Sequence, residues 1–283
     1  MLQSFLVTSR ETLEASLVVG IVLAYLHKTN NHQYKKSVYF GVASGIAASI
    51  LAAFLFHIFA GGFIGKAEEI FEGTTMLIGS FLLTTMILWM MRQRHMAGEI
   101  EGKVHHHIAR ADPLFSHIGI FLIIFIAILR EGVETVIFLN AAKYAGGVNF
   151  FGGLLGIVAA IIAGLLFFLS SHQINLKRLF SISSVLLILF AAGLVAHGVH
   201  EFEEAGILNG IITPLFDINP PLHPDGSAPW LHEKGVIGSF LKGLFGYNGN
   251  PSLLEVISYL GYLTLIGTIF WRGLKIAQPK TVI

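Results

Sequence analysis

The chain has no cysteine, which excludes disulfides, iron–sulfur clusters and thiolate metal sites. A bound metal would need carboxylates, imidazoles, hydroxyls or carbonyls, ligands that suit harder cations. Charge is scarce as well. Charged residues make up 12% of the chain, against about 25% in a soluble domain, so much of the surface is not built to face water. The formal net charge is +1, and no nucleic-acid partner is expected; where the charges stand matters more than their sum. A basic n-region is missing, and Arg10, Glu11 and Glu14 interrupt the first apolar run, so no cleavable signal peptide is expected. His-Glu-x-x-His and Gly-x-Ser-x-Gly are both absent, leaving no enzymatic signature and no prosthetic group to expect.

What the chain has in excess is apolar length. Hydrophobic residues reach 54%, with a mean hydropathy of +0.73. A membrane-spanning helix needs about 20 mostly apolar residues. Seven segments qualify: Ser4–Leu26, Val38–Ala60, Glu69–Met91, Phe115–Ala141, Phe150–Ser170, Ile182–His200 and Leu253–Trp271. The first and fourth carry charges near their middles and are kept because Ala15–Leu26 and Ile118–Leu129 are strongly apolar. Alternate connections divide the basic residues twelve to four, with Arg10 and Arg130 inside spans. By the positive-inside rule this places the N-terminus outside and the C-terminus in the cytoplasm.

The expected fold is therefore an all-α polytopic membrane protein of one domain, residues 1–283. Two three-helix units, 1–112 and 113–206, precede an extracytoplasmic loop, 207–252, and a seventh helix with a cytoplasmic tail, 253–283. In that loop Ile237, Phe240, Leu241, Leu244 and Phe245 recur at helical spacing. They read as a short helix in the membrane interface or as a cap on the helix ends.

The two units are related by a motif. Arg10-Glu11-Thr12-Leu13-Glu14 and Arg130-Glu131-Gly132-Val133-Glu134 stand 120 residues apart, both inside spans. Three spans per unit is an odd number, so the second copy inserts upside down. Inverted repeats of this kind place transporter substrate sites near the bilayer midplane. Small-residue stripes (Gly41, Gly45 and Ser49; Gly152, Gly156, Ala160 and Gly164) read as close helix packing.

On a helix, Glu14 falls about 40° and Glu11 about 100° from Arg10, so all three share one sector. Each ionisable group at mid-bilayer costs about 2.5–3.5 kcal/mol on insertion scales. An internal Arg–Glu pair explains one glutamate per motif and leaves Glu11 and Glu131 over. Intramembrane ionisable residues of this kind mark ion or proton pathways, and four carboxylates without sulfur favour a hard or borderline cation.

Arg-Glu-x-x-Glu in the first and fourth of seven spans resembles the oxidase-dependent iron permease family, whose branches are the fungal high-affinity iron permeases and bacterial EfeU-like proteins. The similarity runs over essentially the whole chain. It includes Phe71-Glu72-Gly73, Met86-Ile87-Leu88-Trp89-Met90, and Ala191-Ala192-Gly193-Leu194 ahead of His200-Glu201-Phe202. The resemblance implies iron as transported substrate, ligated in transit by Glu11, Glu14, Glu131 and Glu134. It also implies a partner, either a ferroxidase or a periplasmic iron-donor protein. Thr12 stands where the family frequently has glycine, a change that spares the charged positions. The chain's size is more like that of a bacterial member, so the bacterial cytoplasmic (inner) membrane is the expected location.

Further candidates lie at the span ends. Glu68, Glu69 and Glu72 open the third span, while His197, His200, Glu201 and Glu204 line one face at the outer end of the sixth. Of these, Glu72, His200 and Glu201 are the expected metal contacts. On the opposite side His95, Glu99, Glu101, His105, His106, His107 and Asp112 crowd what reads as a short polar loop, able to receive a metal or simply to be solvated. Iron transport is the leading reading. A permease for another cation such as Mn²⁺ or Pb²⁺, a membrane metalloenzyme built on His197, His200 and Glu201, and a membrane metal sensor are the alternatives.

Overall fold

The computed structural model describes residues 2–92, 96–108, 113–146, 148–169, 176–223 and 227–276. Among these the chain is all-helical. The helices are α1 (Leu2–Lys28), α2 (Lys35–Ala60), α3 (Lys66–Arg92), α4 (Met96–Ile108), α5 (Pro113–Gly146), α6 (Phe150–Leu169), α7 (Leu176–Glu204), α8 (Val236–Phe245) and α9 (Leu253–Ile276). The seven apolar stretches fall on α1, α2, α3, α5, α6, α7 and α9; Ser170, the expected end of the fifth, lies outside the described residues. Among the described residues, four stretches are long and apolar enough to cross a membrane: His32–Ala60, Lys66–Trp89, Ser183–Glu204 and Leu253–Arg272. In α1 and α5 the motif charges break the apolar run, and the apolar part of α6, Phe150–Leu166, is shorter.

Helix ends follow local chemistry. Asn30, with φ of 55°, closes α1: its N–H donates to the His27 carbonyl (3.2 Å) and the Asn31 N–H to that of Leu26 (2.9 Å), a Schellman arrangement. Ser252 and Glu255 form a capping box at the start of α9. The Glu255 N–H donates to Ser252 Oγ (3.1 Å) and the Ser252 N–H to Glu255 Oε1 (2.9 Å), satisfying two donors that a helix start leaves unpaired. Gly246 ends α8 with φ of 68° and lies against Gly193 of α7, too close for a side chain on either residue.

α5 is the hub, packed against α1, α2 and α3, while α1 also packs on α6, and α7 on α3 and α9. α2 meets the bundle mainly through α5 and leaves Phe40, Ile50, Phe54 and Phe59 exposed. An apolar surface of this extent does not suit water. One core cluster gathers Met76, Leu83, Phe138, Leu187 and Leu194; another gathers Val22, Val38, Val104, Ile120 and Ile124. Along both α1 and α5 the charged motif falls between residues of these two clusters.

The small-residue stripes are packing surfaces. A Cβ on Gly45 would lie 2.7 Å from Ile128 Cβ and 3.2 Å from the Phe125 carbonyl oxygen. One on Gly156 would lie 2.6 Å from the Phe5 carbonyl oxygen and 3.0 Å from the Ser9 nitrogen, and closer still to Thr8 Oγ1. Gly156→Leu is therefore expected to force α1 and α6 apart, at a cost of about 1–3 kcal/mol or more. A lowered melting temperature in detergent checks this; an unchanged one contradicts the contact.

The connection between α3 and α5 is not the loop its polar residues suggest. It holds α4, an amphipathic helix whose Ile100, Val104 and Ile108 recur every fourth residue and join the second core cluster, Val104 with no exposure. Only three apolar positions carry that stripe, so the histidines and glutamates between them hid it. α8 is the short helix expected in its segment. Gly238, Gly243 and Leu244 are buried and the Gly243 carbonyl accepts a hydrogen bond from Gln3 Nε2, while Val236 is 80% exposed, so the helix both caps the bundle and presents an apolar edge.

Candidate metal site

α1 and α5 cross at their motifs. On α1, Arg10 Nη1 lies 3.2 Å from Glu11 Oε1 and Nη2 lies 3.1 Å from Glu14 Oε1. On α5, Arg130 Nη2 lies 2.7 Å from Glu131 Oε1 and Nε lies 3.3 Å from Glu134 Oε1. One carboxylate oxygen each from Glu11, Glu14 and Glu131 come within 4.8 Å of one another. All three residues are buried, and the Glu11 and Glu131 carboxyls stand within hydrogen-bonding reach of each other. Three ionised carboxylates facing each other in a buried place repel. A cation or a bound proton between them relieves that repulsion.

The two motifs are not equivalent. Arg10 is enclosed, with Nη1 2.8 Å from Met86 Sδ of α3. The Arg130 side chain is 51% exposed, its guanidinium 5.9 Å from the Trp89 ring centre on the same helix, α3, a cation–π distance. Glu134 is half-buried and stands outside the three-carboxylate cluster. Repetition of the motif in the sequence gives no sign of this difference. It arises because Arg10 is packed against the interior of the bundle and Arg130 is not.

At the α8 end of the bundle the predicted residues separate. Glu201 packs its Cβ against Gly73 of α3, and the charges of Glu72, Glu69 and Glu204 act on it. Glu68 is exposed, whereas Glu69 and Glu72 are half-buried. His197 is buried, with Nδ1 2.9 Å from the Gly193 carbonyl oxygen one turn earlier. His200 turns toward α9: Nε2 is 3.2 Å from Glu204 Oε1 and Nδ1 is 3.1 Å from Glu255 Oε1. The ligand atoms that gather within 4.8 Å here are those of His200, Glu203 and Glu255. Sequence reasoning passed over Glu203 and Glu255. The first shares a helical face with His200 at i, i+3, and the second was legible only as the last residue of a Ser-x-x-Glu capping signature.

At the α4 end, His105 Nδ1 lies 3.1 Å from the Tyr25 hydroxyl, and Glu101 and His106 are exposed. His95 and Asp112 lie outside the described residues, as do the side chains of Glu99 and His107.

Long apolar helices, a wide uncovered apolar surface and buried charge at a helix crossing define an integral membrane protein. Residues 1–274 match the Iron permease FTR1 family, and the chain belongs to that family. It is a permease and not an enzyme. An uncharacterized protein of Archaeoglobus fulgidus is 35% identical over 271 residues, covering 95% of this chain and 94% of its own. The Ferrous iron permease EfeU of Yersinia pestis is 30% identical over 266 residues, covering 92% of this chain and 89% of its own. Its Escherichia coli (strain 536) namesake is 30% identical over 264 residues, covering 92% and 91%. No solved structure matches the chain.

Proposed function

We propose that the protein carries ferrous iron into the cytoplasm through an intramembrane site formed by Glu11, Glu14 and Glu131, with Glu134 beside it. The observation that carries this reading is the approach of those three carboxylates to within 4.8 Å, from two helices whose motifs are far apart in sequence. Charge supports a divalent ion. Four carboxylates and two guanidinium groups sum to −2 when all are ionised, which one Fe²⁺ neutralises and Fe³⁺ does not. The matched EfeU proteins bear the name ferrous iron permease, in keeping with this choice.

Seven spans, an outside N-terminus and an inverted repeat go with this function. Packing supports the repeat: Gly45 of α2 meets Phe125 and Ile128, and Gly156 of α6 meets Phe5 and Thr8. Each pair on α5 stands 120 residues after its counterpart on α1, the same offset as the motifs. In this topology Glu72, Glu201 and His200 sit at the outer mouth, where negative charge draws cations in. The bacterial cytoplasmic membrane, with a ferroxidase or periplasmic donor delivering iron, is the setting proposed.

Carboxylates discriminate weakly among divalent ions, so Mn²⁺ is the natural competitor. Uptake of radioactive iron into liposomes holding the purified protein alone tests the proposal, with Fe²⁺ and Fe³⁺ offered separately and Mn²⁺ in competition. Saturable Fe²⁺ accumulation is expected. Binding of iron with no flux would make the protein a sensor, and preferential Mn²⁺ flux would reassign the substrate.

A further inference from the structure

We propose that His200, Glu203 and Glu255 form a second divalent-metal site, at the α8 end of the bundle and separate from the intramembrane carboxylates. The site spans the end of α7 and the first turn of α9, and one ligand atom from each residue lies within 4.8 Å of the other two. One imidazole and two carboxylates are a donor set for Fe²⁺ and neighbouring divalent ions.

The surroundings are built around these atoms. Glu255 is 1% exposed, and its carboxylate is fixed by Asn248 Nδ2 (2.9 Å) and the Ser252 N–H (2.9 Å). Ser252 Oγ donates to Glu203 Oε2, leaving Glu203 Oε1 buried without a partner. His200 Nδ1 lies 3.1 Å from Glu255 Oε1. Two donors about 3 Å apart is the separation that adjacent ligands present to one ion at bond lengths of about 2.1 Å. The other ring nitrogen, Nε2, lies 3.2 Å from Glu204. That contact is the carboxylate–histidine–metal relay that orients a ligating imidazole and raises its basicity.

The structural alternative is a metal-free bridge, in which a protonated His200 joins Glu204 and Glu255. Glu255 is held well enough by Asn248 and Ser252 to cap α9 alone, however, and a bridge leaves Glu203 Oε1 unexplained. Only the identity of the ion rests on the iron-permease reading. Filled with iron, this site is a loading station beside Glu201, from which the ion passes inward.

Cobalt(II) is a suitable probe because its visible spectrum reports ligation. Equilibrium dialysis of the full-length protein in nanodiscs is expected to give two Co²⁺ per chain. Glu11→Gln/Glu131→Gln is expected to leave one, and adding His200→Ala to that background none. Glu203→Gln keeps the bond to Ser252 and is expected to weaken the remaining site by about tenfold or more, guarding against a folding defect in the His200 variant. Retention of one Co²⁺ with an unchanged spectrum after His200→Ala in the double-glutamine background overturns the proposal, as does failure of that background to bind Co²⁺ at all. If the intramembrane reading alone is wrong, the double-glutamine change leaves the stoichiometry unaltered while His200→Ala still lowers it.

Discussion

Glu11→Gln and Glu131→Gln are each expected to cut the initial rate of iron uptake into proteoliposomes by about 100-fold or more, beyond the 10–100-fold effects of changes next to a metal ligand. The substitution keeps side-chain shape and removes the charge, so it separates ligation from packing. Both residues are buried and face the third carboxylate of the cluster, Glu14, where the loss of one negative charge lowers the attraction for a divalent ion sharply in a low-dielectric site. Glu14→Gln is expected to match them. Glu134→Gln is expected to cost only about tenfold, because Glu134 is half-buried and outside the cluster, where its charge is better screened. Equal losses at all four positions would mean that the ion sits between the motifs in a wider cage than the three carboxylates define. Undiminished flux in the Glu11 and Glu131 variants would remove these residues from the path.

Arg10→Met is expected to be the most destabilising single change in either motif. It strands Glu11 and Glu14 in the bundle without their guanidinium, and breaking a buried pair from one side costs about 3–5 kcal/mol. Arg130→Met is expected to cost less, since half of that side chain is uncovered and only one of its two carboxylate partners, Glu131, is buried. Melting temperatures of the two variants in the same detergent read the difference directly. Ferrous iron added before heating is expected to restore part of the loss in Arg10→Met, because a ligand that binds only the folded state stabilises it and here replaces the missing positive charge. Equal losses in the two variants would contradict the asymmetry between the motifs.

The repeated motif was the legible part of the candidate site. Two Arg-Glu-x-x-Glu copies on apolar helices pointed to one cluster of Glu11, Glu14, Glu131 and Glu134; the first three bring carboxylate oxygens within 4.8 Å of one another and Glu134 stands outside. Helix existence was legible too, since spans and helices follow the same apolar runs. What stayed hidden depends on neighbours remote in sequence. Nothing in residues 130–134 says that Arg130 lies beside Trp89 in the open while Arg10 is sealed under Met86. Glu255 reads as a helix cap until α9 folds against the end of α7 and sets it facing His200. α4 escaped notice because its apolar stripe is only three residues long and lies among charged and histidine side chains, so composition outweighed periodicity.

The claim on which all of this depends is that a cation rests between Glu11, Glu14 and Glu131. Anomalous diffraction at the iron edge, from crystals of the intact protein grown anaerobically with Fe²⁺, tests it without reference to transport. The account predicts a peak within bonding distance of all three carboxylates, absent from crystals of Glu11→Gln/Glu131→Gln. Iron density elsewhere in the bundle, with the three carboxylates empty, would contradict it.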